Sequence, residues 1–475
     1  MSQASARALI WRARIAEGWA NVWRWVLLAA AAALAAYFLL DRGVQNGVFT
    51  AGAIALLVIG AAVTSGKPMA IALMAMPALF IVERVGFGGS ELSVSDVVLA
   101  AAFGTAVLLG TRPYSRPMRQ LLWLDLFYQF ATLFTVIVNP YAANTFEWFH
   151  AWLLVSGSLV VGWALGRAGY ARLALLLIIG TACVIAVGTI VSGLFQYASG
   201  DFSGVYPSIP LPMHKNFAGT AMAFAAVIAY VNPVWIAWSK NWARAAFWLL
   251  LIAIVMTQSR QALIGLIFAI VLIALRRGSG GHSRFVLFLI IPGIWLVASM
   301  IIEQVESQNK FNSVFQRVEW AREVYALWKL SPVFGHGLRY WYTDTTTAQF
   351  QPPQAEIEVL ASAGVVGLIG FAVLWIGIIF VLWHVDPRFG TLALAVTLSR
   401  LVQGQFDLFW VAAQVSIPFV IAGICLGAKA WGDLRAASSP LPEHTQSEAP
   451  APAGPAGVSP RSRPSGRRTQ DSPRL

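Results

Sequence analysis

Residues 173–197 read LALLLIIGTACVIAVGTIVSGLFQY, a stretch without one charged side chain. As an α-helix, about 20 apolar residues cross the ~30 Å hydrocarbon core of a bilayer. In lipid only helices and closed barrels satisfy every backbone N–H and C=O internally. The same pattern extends both ways along the chain. Apolar runs occupy 23–40, 48–64, 68–82, 94–109, 121–138 and 149–165 before this stretch. After it they occupy 217–238, 245–256, 262–275, 285–302, 356–383, 392–403 and 410–428. The expected fold is therefore all-α, a polytopic transmembrane helical bundle of about 12–14 spans.

Composition agrees. Hydrophobic residues make up 58% and charged residues 11%, with a mean hydropathy of +0.68, whereas soluble domains carry roughly 25% charged residues. The net charge of +12 sits in the N-terminal stretch, short inter-run loops and the C-terminal tail. That distribution reads as orientation by positive loops, with membrane lipid rather than nucleic acid as the partner. Arg7, Arg12, Arg14 and Arg24 precede the first run, which continues through Tyr37 to Leu40 and is soon followed by another. An uncleaved signal anchor fits this better than a cleaved signal peptide. Trp11, Ile15, Trp19 and Trp23 recur every four residues, so 1–22 reads as a cytoplasmic or interfacial segment.

Domain 23–435 is the membrane bundle. With a cytoplasmic N-terminus, alternate loops place Lys67, Arg112, Arg116, Arg119, Arg167, Arg172, Lys240, Arg244, Arg276, Arg277 and Arg388 inside. The expected location is the cytoplasmic membrane, multi-pass, with both termini cytoplasmic. The segment 436–475 is rich in Pro, Ser, Ala and Arg and is expected to be a disordered tail. Cys183 and Cys425 both fall inside apolar runs, as small buried hydrophobes rather than disulfide or metal partners.

The chemistry-bearing residues gather in loops that this count puts outside. Residues 303–353 form one large extracytoplasmic loop, too polar to span and too long for an idle connection. Within it Val314, Val318, Ala321, Tyr325 and Trp328 recur at helical spacing, which predicts an amphipathic helix ending near Ser331-Pro332. Arg260, in MTQSRQALIG, interrupts two apolar runs, and an unpaired arginine at depth costs at least ~2.5 kcal/mol. Either it snorkels to the headgroups or its guanidinium fork grips a phosphate. Arg317, in NSVFQRVEW, is a solvated loop charge or a second phosphate ligand. Glu319, Arg322 and Glu323 beside it are surface pairs.

His214, Lys215 and Asn216 stand where a helix begins, so backbone donors and a cation converge there. A plain helix start accounts for Asn216 equally well. In SPVFGHGLRYW, His336 lies on a glycine-flexed turn as a solvated or a catalytic histidine. Glu356 and Glu358 occupy the first turn of the run at 356–383. There they complement the helix dipole, or one acts as a general base. Spacing does not choose between them.

Over 207–371 these segments, in this order, resemble the O-antigen ligase and O-antigen polymerase superfamily of bacterial membrane glycan transferases. HKNFAG resembles its asparagine-containing helix start, and TQSRQALIG is similar to its T-x-S-R-x-A motif. QRVEWAREVYALWKLSPVFGHG resembles its arginine-tryptophan helix with a P-x-x-G-x-G turn, and EVLASAGVVGLIGF its final L-A-E-x-G-x-x-G helix. The resemblance implies a polyprenyl-diphosphate-linked glycan donor, a glycan or glycolipid acceptor, inverting transfer without metal or other cofactor, and Arg260 with Arg317 as the diphosphate pair. The chain departs from the pattern at Pro353 and Gln354, where ligases commonly carry His-Asn, and at Ser362, where the last motif has glutamate. The expected function is a polysaccharide ligase, with a polymerase as the alternative of the same chemistry. A transporter and a non-catalytic scaffold are the alternatives of other classes.

Overall fold

The computed structural model describes residues 69–87, 90–277, 313–343 and 351–438. The expected segment 1–22, the runs at 23–40, 48–64 and 285–302, and the tail from 439 lie outside the described residues. Among the described residues, six helices are long and apolar enough to cross a membrane: Arg116–Val138 (α3), Ala142–Arg167 (α4), Ala171–Ala198 (α5), Lys240–Thr257 (α7), Ala355–Trp383 (α10) and Ala412–Ser438 (α12). The others are Ala70–Ala78 (α1), Val94–Leu109 (α2), Lys215–Val231 (α6), Arg260–Arg277 (α8), Ser313–Leu330 (α9) and Pro387–Gln403 (α11). The chain is an all-α polytopic membrane protein, as its apolar runs predict.

The run at 68–82 folds differently from its expected span. Pro77 lies inside α1, which closes at Ala78 and is too short to cross a bilayer at 1.5 Å per residue. An antiparallel hairpin follows, with β1 (Arg84–Phe87) paired to β2 (Ser90–Ser93). Ser93 then opens α2 with a reciprocal cap on Asp96. Helix α4 begins at Ala142, in polar sequence well before the run at 149–165, and passes through a π-turn at Leu153–Gly157.

Helix α6 is the axis of the bundle, buried from Phe217 to Ala229 and packed among α5, α7, α8 and α11. Helix α3 lies along α10, and α8 along α11. Because lipid tails are as apolar as leucine, burial alone does not drive such packing and close backbone approach must contribute. Helices α4 and α12 achieve it through Gly162-x-x-x-Gly166 against Gly423-x-x-x-Gly427. A methyl built on Gly162 would lie 2.1 Å from the Val420 carbonyl oxygen. Large apolar side chains left exposed on α3, α5, α7 and α10, such as Phe130, Phe195, Trp248 and Phe380, make the lipid-facing surface.

The bundle has two chemically distinct ends. At one, basic side chains bind backbone carbonyls: Arg276 donates to Trp383 O at 2.7 Å and Val385 O at 2.6 Å, at the end of α10, and Arg167 to Ala430 O of α12 at 3.2 Å. The other end carries the starts of α4, α6, α8 and α10 together with α9.

Helix α9 spans Ser313–Leu330, close to the predicted amphipathic helix, but its inward face is rotated from the expected stripe. Val324 is buried with Leu327 against Trp341, Ala361 and Ile357, whereas Tyr325 is exposed and lies under the Lys329 ammonium, 4.4 Å from its ring centroid. Contact with α10, invisible to periodicity, selects the face.

Candidate functional site

The turn after α9 and the start of α10 form one composite. Helix α10 breaks at Gly364, whose φ of +66° and ψ of −165° are reached essentially only by glycine. The break frees backbone groups, and the SPVFGHG turn takes them. Val365 N–H donates to Pro332 O at 3.0 Å and Val366 N–H to Val333 O at 3.2 Å, while His336 N–H reaches Ala361 O at 3.1 Å and Gly337 N–H reaches Ser362 O at 2.8 Å. Broken helices are tolerated at membrane depth only when protein re-satisfies them in this way. The two glycine motifs of the sequence are thus halves of one interlock. Within it, His336 Nε2–H donates to Leu327 O at 2.9 Å, so the ring fastens the turn to α9.

Above the interlock lies a network that motif reading missed. Arg339 Nε sits 2.7 Å from Glu147 Oε2. His150 Nδ1 is 3.3 Å from Glu147 Oε1, and His150 Nε2 is 3.1 Å from Asp96 Oδ1. Asp96, Glu147 and His150 are buried, Arg339 partly so. Two carboxylates and two basic side chains tie α2 and α4 to the segment that follows the 331–337 turn. Paired burial of this kind keeps charge inside a bundle where single charges are costly. The one signal in the sequence was the i, i+3 spacing of Glu147 and His150, in a polar stretch just before the apolar run at 149–165.

Glu358 is buried one helical turn before Ser362. Its Oε1 accepts from Gln351 Nε2 at 2.6 Å, and its Oε2 has no hydrogen-bond partner among the described residues. It lines a narrow cleft with Tyr128, Thr132, Glu147, Ser362 and Trp410. Glu356 is half-buried and accepts from Gln405 Nε2 at 2.8 Å.

The cationic motifs occupy the start of α6 and the α7–α8 turn. His214 caps α6, accepting from Asn216 N–H at 3.3 Å, and Asn216 is half-buried. Lys215 Nζ lies 5.4 Å from the centroid of the Tyr206 ring. The segment that precedes α6 is pinned to the turn, with Val205 N–H donating to Met256 O at 3.0 Å and Gln258 Nε2 to Phe202 O at 2.8 Å. A methyl on Gly204 would meet both Thr257 O and Lys215 Nζ, which puts Lys215 beside the turn that delivers Arg260. Arg260 is the first residue of α8, exposed and without an ion pair among the described residues. Arg317 lies in the second turn of α9 by its backbone; its side chain lies outside the described residues.

A loop at 404–411 joins the two flanks. Gln261, next to Arg260, donates to Asp407 Oδ2 at 2.5 Å, and Gln405 holds Glu356. Ala355 N–H bonds Gly404 O at 2.9 Å. The loop is held from within by fully buried Arg400, which donates to Gln414 Oε1 at 2.9 Å, to Leu408 O at 2.6 Å and to Phe409 O. So Lys215 and Arg260 stand on one flank of the loop, and Glu356, Glu358, Glu147 and His336 on the other. No group of three or more His, Cys, Asp or Glu with metal-binding geometry occurs among the described residues.

Residues 245–372, from α7 to the middle of α10, match the O-antigen ligase family, so this part of the chain is similar to it. No curated protein matches the sequence.

Proposed function

We propose that this O-antigen ligase-like membrane protein is a polysaccharide ligase, transferring a glycan from a polyprenyl-diphosphate carrier to an acceptor hydroxyl on the outer side of the cytoplasmic membrane. One observation carries the reading. The matched segment 245–372 contains both Arg260 and the interlocked first half of α10, and the loop at 404–411 links these two parts at one end of the bundle.

In this reading Arg260 and Arg317, with Lys215, hold the donor diphosphate and stabilise the charge it gains as it leaves. The acceptor oxygen attacks the anomeric carbon from the opposite face, and its proton passes to a carboxylate. The carbon–oxygen bond to the diphosphate breaks, with the electron pair leaving on the diphosphate. Inversion results. Glu358 is the better base, since it lines the cleft beside Ser362 while His336 already holds Leu327 through Nε2. Placed one turn before Ser362 on the same helix face, it also supplies a carboxylate close to where the family motif has one.

The test is transfer by the purified protein from a defined lipid-linked glycan. New glycosidic product together with free polyprenyl diphosphate is expected. Absence of both, with intact protein and a panel of acceptors, overturns the reading. Product that grows only on a second lipid-linked glycan identifies a polymerase.

A further inference from the structure

Among the described residues Arg400 is the only buried lysine or arginine, with 0% exposure. No carboxylate of those residues lies within ion-pair distance of it. Its guanidinium sits 5.0 Å from the centroid of the Phe409 ring and donates to Gln414 Oε1 at 2.9 Å, to Leu408 O at 2.6 Å and to Phe409 O. Elsewhere in this bundle neutral donors fasten carbonyls, as Asn139 and Asn144 do for Thr135 O at 3.0 Å and 3.2 Å. A buried charge is the costlier means, and inside a membrane bundle it marks function. Arg400 and its loop also lie beyond the matched segment 245–372.

The charge reaches the site by two routes. Leu408 O is one end of the trans peptide 408–409. In a planar trans peptide the N–H points away from the C=O, so the Phe409 N–H is turned from Arg400 and acts on Glu358. Arg400 itself acts electrostatically on Glu358 and Asp407. The second route is mechanical. The Phe409 ring meets Phe371 and Trp375 of α10 edge-on, with centroids 5.5 Å and 5.9 Å away, and Trp410 stacks on Tyr128 of α3 at 5.6 Å. From the loop so seated, Gln405 holds Glu356 and Asp407 holds Gln261, the neighbour of Arg260. One buried cation therefore stands behind both ties.

We propose that Arg400 is a positioning residue for the transfer reaction, fixing the loop at 404–411 and with it the placement of Arg260 relative to Glu356 and Glu358. The proposal rests on the glycan-transfer reading and adds to it a residue that touches neither donor nor acceptor. Reacting groups held by one template lose rate steeply when the template shifts, on the order of 10²-fold for a misplacement of about 1 Å. The planar fork of arginine suits this task, because one rigid group holds two successive loop carbonyls and the Gln414 side chain at once.

The test compares Arg400→Lys with Arg276→Lys in the full-length protein in detergent, by transfer kinetics, thermal unfolding and hydrogen exchange. Arg276 also holds two backbone carbonyls, but at the other end of the bundle, so it controls for a merely structural role. Arg400→Lys should lower kcat on the order of 10²-fold while the donor KM moves less than about threefold, and Arg276→Lys should leave kcat within about twofold. Exchange should quicken at 404–411 and at Ala355, whose N–H bonds Gly404 O, in Arg400→Lys alone. The double variant Gln405→Ala/Asp407→Ala leaves Arg400 in place and guards against misfolding; cutting both ties should lower kcat about tenfold or more. Unchanged kcat in Arg400→Lys or in the double variant overturns the proposal, as does an equal kcat loss in Arg276→Lys at an equal loss of Tm. If the wild-type protein transfers nothing from a lipid-linked donor, the transferase reading falls and exchange decides alone. Quickened exchange confined to Arg400→Lys then upholds its hold on the loop, and unchanged exchange removes it.

Discussion

Gly364→Ala tests the interlock directly. The φ of +66° and ψ of −165° at this residue lie in a region where a non-glycine residue costs on the order of 1–3 kcal/mol. A methyl there would also sit 2.3 Å from the Val333 carbonyl oxygen, with backbone rather than a flexible tip in its path. Relief requires lifting the 332–337 turn from α10, and this gives up the bonds from Val365 N–H and Val366 N–H, each worth about 0.5–1.5 kcal/mol net. The expected loss is about 2–6 kcal/mol, together with displacement of Glu358 from its place beside the turn. Gly104→Ala is the control: a methyl there meets nothing within 4 Å, and alanine in a helix interior gains roughly 0.5–1 kcal/mol over glycine. Thermal unfolding in detergent, followed by tryptophan fluorescence, and the transfer rate are measured together. Gly364→Ala should lower Tm by several degrees and reduce transfer sharply. Behaviour matching Gly104→Ala would refute the interlock.

Further outcomes follow from the same geometry. Arg260→Lys and Arg317→Lys keep the charge but lose the bidentate fork, and each should slow transfer on the order of 10²-fold; near-normal rates at normal abundance would remove them from the diphosphate. Arg322→Lys should be almost silent, since its pair with Glu319 is 74% and 62% exposed and exposed pairs contribute little. Glu147→Gln keeps the shape but takes the shared carboxylate from Arg339 and His150. It should destabilise by about 3–5 kcal/mol, and an unchanged Tm would show that the network does not hold the turn. A reporter fused near Asn309 should read outside and one after Ala436 inside, because positive loops orient the chain; the same side for both would refute the odd number of crossings between them.

How far the chain could be read differs from region to region. The amphipathic α9 and the apolar long helices were visible in periodicity, while the polar start of α4 was not. Glu147 and His150 look like loop residues to hydropathy, since their partners Asp96 and Arg339 stand far away in sequence. Arg400 passed unnoticed in an apolar run because it satisfies itself on the loop that follows α11. Among the candidate site residues, types and neighbourhoods were legible. Their sorting into a cationic and an acidic flank was not.

What the sequence determined by itself is the solvent of this protein and the class of its fold. Uninterrupted apolar length and the cost of a bare backbone in lipid leave a helical bundle as the outcome. Motif order added the family resemblance. Tertiary structure alone decided that SPVFGHG inserts into a break in α10, that Glu358 rather than Glu356 faces the cleft, and that a loop at 404–411 links the start of α8 to the start of α10. The physical reason is that these features rest on backbone bonds and ion pairs between distant segments. Each partner alone reads as an ordinary turn, cap or surface charge, and only their meeting gives it a role.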